Sequence, residues 1–236
     1  MYNNGVVIKE NITRIRQRIA SACLRVNRGP GEITLVAVSK GRGIEEVRQA
    51  LDNGLADIAE NRVQEALLKY NDKRLAISDK PIRRHLIGHL QTNKTKDAVR
   101  IFDLIHSLDS RHLAEEIDKQ AAKINKVQDV LIEVNVSGES SKFGIKPEEA
   151  ASLIKDISRL KNITIKGLMA IAPILDNPEN ARPYFRVLRE LRDRINTLHI
   201  TPNTLHILSM GMTDDFEAAI EEGATMLRIG RAIFGS

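Results

Sequence analysis

Lys40 is the side chain with the clearest chemical potential in this sequence. It ends a short apolar and β-branched run, Ile33-Thr34-Leu35-Val36-Ala37-Val38-Ser39, that predicts a buried parallel strand. Ligand sites of α/β folds lie at the carboxyl ends of such strands. Partial desolvation there would lower the pKa of the amine and make Lys40 a candidate Schiff-base nucleophile. The alternative is a strand-end lysine that extends into water.

Two glycine-bearing turns follow the last two predicted strands. They contain Ser209-Met210-Gly211-Met212-Thr213 and Arg228-Ile229-Gly230-Arg231. Barrels of α/β type often bind phosphate with loops in these positions, because glycine lets backbone N–H groups approach an anion. Hydroxyl and guanidinium groups in the same turns would add donors. We therefore predict a phosphate site. The alternative is ordinary turn glycines, with Thr213 as the N-cap of the next helix.

An amine and a phosphate cradle in one site imply a phosphorylated carbonyl compound. Pyridoxal 5′-phosphate (PLP) meets both requirements, and so does a phosphosugar in an imine-forming aldolase. Metal chemistry is disfavoured, because the six histidines form no close ligand pair with carboxylates at a recognised spacing. A Ser-His-Asp hydrolase is also disfavoured, because no G-x-S-x-G turn is present. His106 and His206 are expected to serve packing or hydrogen bonding.

The elements that must position these residues alternate between strand and helix. An opening helix is predicted from the apolar spacing of Ile8, Ile12, Ile15, Ile19 and Cys23. Eight predicted strands follow, separated by helices, at 33–40, 57–59, 85–87, 104–106, 130–136, 163–169, 205–208 and 225–229. We therefore predict an α/β fold, a single (β/α)8 TIM barrel with an extra N-terminal helix, as one domain over residues 1–236. A doubly wound open sheet is the alternative.

Composition is typical of a globular protein from a reducing compartment. The chain has 236 residues, of which 42% are hydrophobic and only 3% aromatic, so one large aliphatic core is expected. The single Cys23 excludes an intramolecular disulfide framework. No apolar run approaches the roughly 20 residues that span a bilayer, and no signal-peptide pattern is present. We expect no membrane association and a cytoplasmic location.

The charge pattern argues against a nucleic-acid partner. The 36 basic and 31 acidic residues give a net charge of +5 and are interspersed. The densest basic stretch lies on the helix predicted at 183–198, whose core stripe is Phe185, Leu188, Leu191 and Ile195. The arginines at 182, 186, 189, 192 and 194 are predicted to be the solvated face of that helix. No nucleic-acid-binding motif accompanies them.

A set of ordered sequence blocks runs through nearly the whole chain. The blocks are VAVSK at 36–40, ENRVQE at 60–65, HLIGHLQTNK at 85–94, EVN at 133–135, KFG at 142–144, GLM at 167–169, LSMGMTDDF at 208–216 and RIGRAIFG at 228–235. In this number and order they resemble the YggS/PROSC family of pyridoxal 5′-phosphate homeostasis (PLP-binding) proteins. The resemblance implies a fold like the N-terminal domain of alanine racemase.

The resemblance also implies a set of cofactor-binding residues. They are Lys40, Asn61, Ser209, Met210, Gly211, Arg228, Gly230 and Arg231. Lys40 would hold PLP as a Schiff base, Arg228 would face the pyridine nitrogen, and Asn61 would lie beside the ring. The two glycine turns would hold the phosphate. Position 231 departs from the commonest family pattern, which has Thr, so the phosphate contact there is expected to use the backbone alone or to gain a cation.

The implied function is a PLP carrier and buffer for amino-acid and keto-acid metabolism. An arginine, which stays protonated, disfavours a proton on the pyridine nitrogen and weakens the ring as an electron sink. Alanine racemases add a second base from another domain, for which this chain has no room. We therefore expect no catalytic residues and a monomer whose partners are PLP and PLP-dependent apoenzymes. The alternatives are a PLP-dependent amino-acid racemase or lyase of the same fold, and an aldolase-like enzyme without PLP.

Overall fold

Eight parallel strands form a closed barrel in the computed structural model, which describes residues 4–71 and 81–235. The strands are β1 Thr34–Val38, β2 Asp57–Glu60, β3 Arg83–Leu86, β4 Leu104–Leu108, β5 Gln128–Glu133, β6 Ile163–Met169, β7 Ile207–Ser209 and β8 Met226–Ile229. They follow one another around the barrel in chain order, and β8 pairs with β1. All carboxyl ends therefore meet at one end of the barrel, called the mouth below.

Helices lie between the strands, and one precedes them. They are α1 Asn4–Arg25, α2 Ile44–Asp52, α3 Val63–Tyr70, α4 Thr95–Ile101, α5 Arg111–Ala122, α6 Ala150–Ile157, α7 Arg182–Thr197, α8 Phe216–Glu221 and α9 Arg231–Phe234. The predicted apolar stripe of α1 is buried, and the helix packs against α2, α8 and α9. Within residues 4–71 and 81–235, no helix is both long and apolar enough to cross a bilayer.

The core has two layers, because the strands are covered on both faces. The inner layer, inside the barrel, consists of Val36, Val38, Ala59, Leu104, Leu131, Met169 and Met226. The outer layer joins the outward-facing strand residues to the helices. Burial on both faces explains why β1, with the sequence TLVAV, is an almost continuous apolar run rather than an alternating one. The one cysteine, Cys23, is part of the outer layer.

The predicted (β/α)8 barrel with an extra N-terminal helix is confirmed, and the closed ring excludes the open sheet. Two strand boundaries differ notably. The fifth strand ends at Glu133 rather than at residue 136, because Asn135 closes a turn. Its Oδ1 accepts from the Gly138 N–H at 3.0 Å, and its Nδ2 donates to the Glu139 carbonyl at 2.9 Å. The seventh strand covers Ile207–Ser209 instead of 205–208.

The arginines of α7, predicted to be its solvated face, are partly or fully exposed, and three of them also form ion pairs with Glu221 or Glu222. Arg182 lies 2.7 Å from Glu221, and Arg186 and Arg189 each lie 2.9 Å from Glu222. Glu222 is buried. These ion pairs connect α7 to the end of α8 and offset part of the positive charge that a nucleic acid would meet.

Candidate functional site

Lys40 lies at the mouth, two residues beyond the end of β1 at Val38. Its side chain is exposed and has no hydrogen-bond or ion-pair partner in the described part of the chain. The expectation that the protein desolvates this amine is therefore wrong, because the side chain extends into water. Exposure alone is typical of any surface lysine. What distinguishes Lys40 is the turn that carries it.

Before Lys40, the turn is held by a buried ion pair. Lys69, on α3, donates from Nζ to Glu60 Oε1 at 2.5 Å and to the Ser39 carbonyl at 2.8 Å. The Ser39 hydroxyl donates to the same Glu60 oxygen at 2.6 Å. Burial raises the pKa of Glu60 above its usual range, and the hydrogen bonds from Lys69 and Ser39 act in the opposite direction. The pair joins β2 and α3 to the residue that precedes Lys40.

After Lys40, the turn is held by Glu65, which also lies on α3. The Gly41 N–H donates to Glu65 Oε1 at 2.5 Å, and Lys69 Nζ donates to the same oxygen at 3.2 Å. Gly41 has φ +70°, a left-handed conformation that glycine adopts without strain. We refer to Ser39, Glu60, Glu65 and Lys69 as the Lys69 cluster. It fixes the backbone on both sides of Lys40 and leaves the amine free.

Arg228 is a cation buried inside the barrel, with 3% exposure. Its Nη1 donates to Ser209 Oγ at 2.7 Å, and its Nη2 donates to the Ala170 carbonyl at 2.9 Å. Burial lowers the pKa of Arg228 to about 10, while Asp215 and Glu133 act to raise it, so the group is charged at neutral pH. The two hydrogen bonds fix the guanidinium across β6, β7 and β8. Ser209, predicted as a phosphate donor, instead uses its buried hydroxyl to hold Arg228.

The two glycine turns lie side by side, because β7 and β8 are neighbours. The backbone N–H groups of Gly211, Gly230 and Arg231 donate to no acceptor among the described residues. Three unused donors in adjacent turns are suited to an anion such as phosphate. The Met210 N–H is not available in the same way, because it donates to the Met226 carbonyl at 3.2 Å.

Neighbouring atoms leave little room for a side chain at either glycine. Gly211 has φ +91°, and a Cβ at this position would lie 2.6 Å from the Ala219 Cβ on α8. A Cβ on Gly230 would lie 3.2 Å from the Val38 carbonyl oxygen. The packing of the two turns is thus sufficient to explain why positions 211 and 230 are glycine. The unused N–H groups are the separate observation that supports the predicted phosphate site.

Arg231 directs its guanidinium toward Asp214 at the surface. It forms an exposed ion pair with Asp214, so the backbone N–H is the donor that this residue offers to a ligand. Thr213 is not the N-cap of α8, because Asp215 occupies that position. Its Oγ1 instead accepts from the Ala232 N–H at 3.4 Å and connects the two turns.

Asn61 follows β2 at the mouth and is half-buried. Its Oδ1 is buried and has no hydrogen-bond partner within residues 4–71 and 81–235. Gly88, after β3, packs directly on this residue, since a Cβ there would lie 2.3 Å from the Asn61 carbonyl oxygen. A buried acceptor without a partner is costly unless a ligand or water satisfies it. Asn61 therefore suits contact with a bound molecule.

Glu133, at the end of β5, is a buried carboxyl that the sequence analysis did not select. It is 7% exposed, and its Oε2 has no hydrogen-bond partner in the part of the chain that the structure describes. Burial and the charge of Asp109 raise the pKa of Glu133 to about 7, against the effect of Arg228. With Lys142 and Phe143 it lines a cavity of about 180 Å³. An acidic residue at the end of an apolar strand was the signal that could have identified it.

A buried polar series inside the barrel was also missed. Asp57 Oδ1 lies 3.0 Å from His85 Nε2, His85 Nδ1 lies 2.9 Å from His106 Nε2, and His106 Nδ1 lies 3.0 Å from Ser209 Oγ. The hydrogen bonding predicted for His106 is confirmed. The His206 side chain, by contrast, is exposed and makes no described contact. The residues described here contain no group of three or more His, Cys, Asp or Glu suited to a metal ion.

The period of the strands explains why these residues face inward. Asp57 is two positions before Ala59, His106 two after Leu104, and Arg228 two after Met226; those three apolar residues all belong to the inner layer. Residues two apart in a strand share a face. Polar residues in register with an inner apolar layer are therefore the sequence signal for this series.

Comparison with known proteins relates the chain to a family. The family model described as "Alanine racemase, N-terminal domain" matches residues 7–236. A pyridoxal phosphate homeostasis protein from Aquifex aeolicus is 49% identical over 226 residues, which are 96% of each chain. This chain belongs to the family of pyridoxal phosphate homeostasis proteins. The resemblance found in the sequence blocks is thereby confirmed.

Solved structures of this family and of alanine racemase share the barrel. PipY of Synechococcus elongatus, in a structure with PLP bound, has a TM-score of 0.80 at 33% identity and covers 94% of this chain and 100% of that chain. An alanine racemase of Clostridium difficile has a TM-score of 0.72 at 14% identity, covering 94% of this chain and 59% of that chain. The second likeness shows the fold alone, and it confirms the predicted alanine racemase-like barrel.

Proposed function

We propose that this protein binds PLP covalently on Lys40 and acts as an intracellular carrier and buffer of the cofactor, serving amino-acid and keto-acid metabolism. The proposal depends on three kinds of group that lie together at the mouth of the barrel. A free amine on a fixed turn, three unused backbone N–H groups and a buried arginine all lie at the carboxyl ends of the strands. The PLP-bound relative supports PLP over a phosphosugar.

Each group at the mouth has a part in holding PLP. The N–H groups of Gly211, Gly230 and Arg231 would bind the phosphate. Arg228 would face the pyridine nitrogen, and the unpartnered Oδ1 of Asn61 would accept a hydrogen bond beside the ring. Ser209 and Met210 would support the turn, through the hydrogen bond to Arg228 and through packing. PLP supplies an aldehyde for attachment and an electron-withdrawing ring.

The proposed role is non-catalytic. A fixed cation facing the pyridine nitrogen disfavours protonation there and weakens the ring as an electron sink. The exposure of Lys40 suits transfer, because a receiving apoenzyme can approach the attachment point without opening the core. We place the protein in the cytoplasm as a monomer, with residues 1–236 forming one PLP-binding domain.

Reduction and peptide mapping test the attachment. After incubation with PLP and borohydride, mass spectrometry is expected to find phosphopyridoxyl on the peptide that contains Lys40. Lys40→Ala should remove it without unfolding the protein, because the side chain has no described partner. The control Lys146→Ala changes an exposed lysine between β5 and α6 and should retain it. Undiminished labelling of Lys40→Ala would remove Lys40 from the proposal, and a wild-type protein that takes up no PLP would overturn the function.

A PLP-dependent racemase or lyase is the second candidate, and Glu133 is the observation that favours it. A carboxyl with a pKa of about 7 can both donate and accept a proton near neutral pH. The test is exchange of the α-proton of amino acids in D₂O by the PLP-loaded protein. Exchange faster than with free PLP, lost in Glu133→Gln, would favour the enzyme. Exchange no faster than with free PLP would favour the carrier.

A further inference from the structure

A line of buried polar side chains crosses the inside of the barrel from its amino end to the mouth. At the amino end, Asp57 lines a cavity of about 580 Å³, where its Oδ1 lies 2.9 Å from Arg83 Nε. The line continues through His85 and His106, which are 2.9 Å apart, to Ser209 and Arg228. Apart from the exposed Arg83, its members are buried. Such a series is unusual in an interior built of aliphatic residues, and the binding of PLP proposed above uses only its last two members, Ser209 and Arg228.

The number of hydrogens that these side chains carry limits which of them can donate to which. Arginine is only a donor, so Ser209 Oγ accepts from Arg228. Burial and the charges of His85 and Arg228 lower the pKa of His106 well below its usual value, so its ring carries one N–H. When His85 is neutral, only one arrangement places one hydrogen in every contact. Arg228 donates to Ser209, Ser209 to His106 Nδ1, His106 Nε2–H to His85 Nδ1, and His85 Nε2–H to Asp57.

When His85 is protonated, the two hydrogen bonds of the His106 ring must run in the opposite direction. It donates from Nε2 to Asp57 and from Nδ1 to His106, so the single proton of His106 must lie on Nδ1 and point to Ser209. The Ser209 hydroxyl proton is then free to donate at the mouth, beside Arg228. The two arrangements differ by one proton and by the direction of two hydrogen bonds.

We propose that Ser209, His106 and His85 form a proton path that takes up one proton at the mouth and holds it on His85 against Asp57. Ser209 gains a proton at Oγ and passes its own to His106 Nδ1. His106 passes its Nε2 proton to His85 Nδ1, through a contact already present. The incoming proton comes from water or from a ligand at the mouth, and no other bond changes.

The charged groups around the path favour these two end states. Asp57, itself paired with Arg83, lies 3.0 Å from His85 Nε2 and accepts its hydrogen bond in both end states. At the other end, the cation of Arg228 disfavours a proton resting on His106. Glu133 and Asp215 are the carboxyls that act on Arg228. His106 thus passes a proton without keeping it. His85 and His106 act on a ligand only through Ser209 and Arg228, so they are positioning residues rather than catalytic ones.

The first test uses the protein without PLP and is independent of the proposed function. Long-range ¹H–¹⁵N spectra of ¹⁵N-histidine-labelled protein report which ring nitrogen carries the proton. Where the spectra show a neutral His85, the proton of His106 is expected on Nε2, and where they show a protonated His85 it is expected on Nδ1. A His106 tautomer that is the same beside a neutral and a protonated His85 would overturn the path.

The second test measures the effect on bound PLP, and this part rests on the proposed function. The pH midpoint of the visible absorption of the PLP complex is expected to shift by about one unit in His85→Asn and in His106→Asn. Asn at position 106 keeps an acceptor for Ser209 but cannot reach His85, so it separates the path from simple support of Ser209. His206→Asn, an exposed control, should leave the midpoint unchanged.

The outcomes separate the two proposals. A wild-type midpoint in His106→Asn would overturn a path that extends beyond Ser209. A wild-type protein that binds no PLP would overturn the proposed function, while the tautomer of His106 in the PLP-free protein would still decide the path. If a variant fails to fold, the spectra of the wild-type protein decide the question alone.

Discussion

The two sides of the barrel mouth hold buried carboxylates in opposite circumstances. On the β2 side, Glu60 Oε1 accepts from Lys69 at 2.5 Å and from Ser39 at 2.6 Å. On the β5 side, the Glu133 carboxylate accepts no hydrogen bond from the described residues. Burial raises the pKa of both groups, but only Glu60 has a cation in contact with it to oppose that effect. The first side is therefore built to hold Lys40 in place, and the second to change charge near neutral pH.

Removing Lys69, the cation that pairs with Glu60, should have the largest effect on stability. Lys69→Met leaves Glu60 buried without its counter-charge and is expected to lower the free energy of unfolding by about 3–5 kcal/mol. Urea denaturation at pH 7 measures this loss. The freed turn should also slow PLP attachment at Lys40, followed as the rate of appearance of the imine absorption.

A second substitution is the control for this prediction. Glu60→Gln in the Lys69→Met background removes the stranded charge, so it should recover much of the lost stability. A single Lys69→Met variant as stable as the wild type would show that the Lys69 cluster does not hold the turn, and the contrast between the two sides of the mouth would disappear.

Removing the unpaired charge should have a smaller, pH-dependent effect of opposite sign. The pKa of Glu133 is about 7 in the folded protein, against a usual value of 4.5. Between these values the unfolded chain releases a proton that the folded chain keeps, so this group makes folding less favourable as pH rises. Glu133→Gln is expected to raise the free energy of unfolding by about 1–3 kcal/mol at pH 8 and to change it little at pH 4.

The matched control is Glu148→Gln, which changes an exposed carboxyl after the same strand. It should alter stability by less than about 0.5 kcal/mol at either pH. Denaturation curves of both variants at the two pH values are sufficient. An equal gain for Glu133→Gln at pH 4 and pH 8 would show that Glu133 does not titrate in this range.

The smallest effect on stability is expected from substitution of Arg231, which contacts neither Glu60 nor Glu133. Arg231→Thr removes an exposed ion pair with Asp214 and keeps the backbone N–H that faces the mouth. The free energy of unfolding should change by less than about 1 kcal/mol. The dissociation constant for PLP, measured by fluorescence, should change by less than about threefold. A tenfold loss of PLP affinity would show that the guanidinium leaves Asp214 to bind phosphate.

Local sequence patterns were sufficient for the barrel and for the position of Lys40. Apolar run length, β-branched residues and the intervening helical spacing are properties of adjacent residues, and they place strand ends to within a few positions. Where they misplaced an end, as at β5, the cause was a turn formed by the Asn135 side chain, which hydropathy does not register. The glycine turns were found because they follow predicted strands.

Contacts between distant strands were not predictable in this way. His106 and Ser209 are 103 positions apart, and Ser39 and Lys69 are 30 apart. Their meeting depends on barrel closure and on which face of each strand or helix turns inward. The direction of Arg231 toward Asp214 depends likewise on how two turns pack.

The sequence by itself determined the eight strands, the helices between them, the family and the lysine at the end of the first strand, because each is encoded in residues close together along the chain. Only the tertiary structure decided which charges at the mouth are paired, which are left without a partner, and that a polar series crosses the barrel. Those properties arise from side chains that meet only when the sheet closes, and burial then sets the electrostatic cost of each unpaired group.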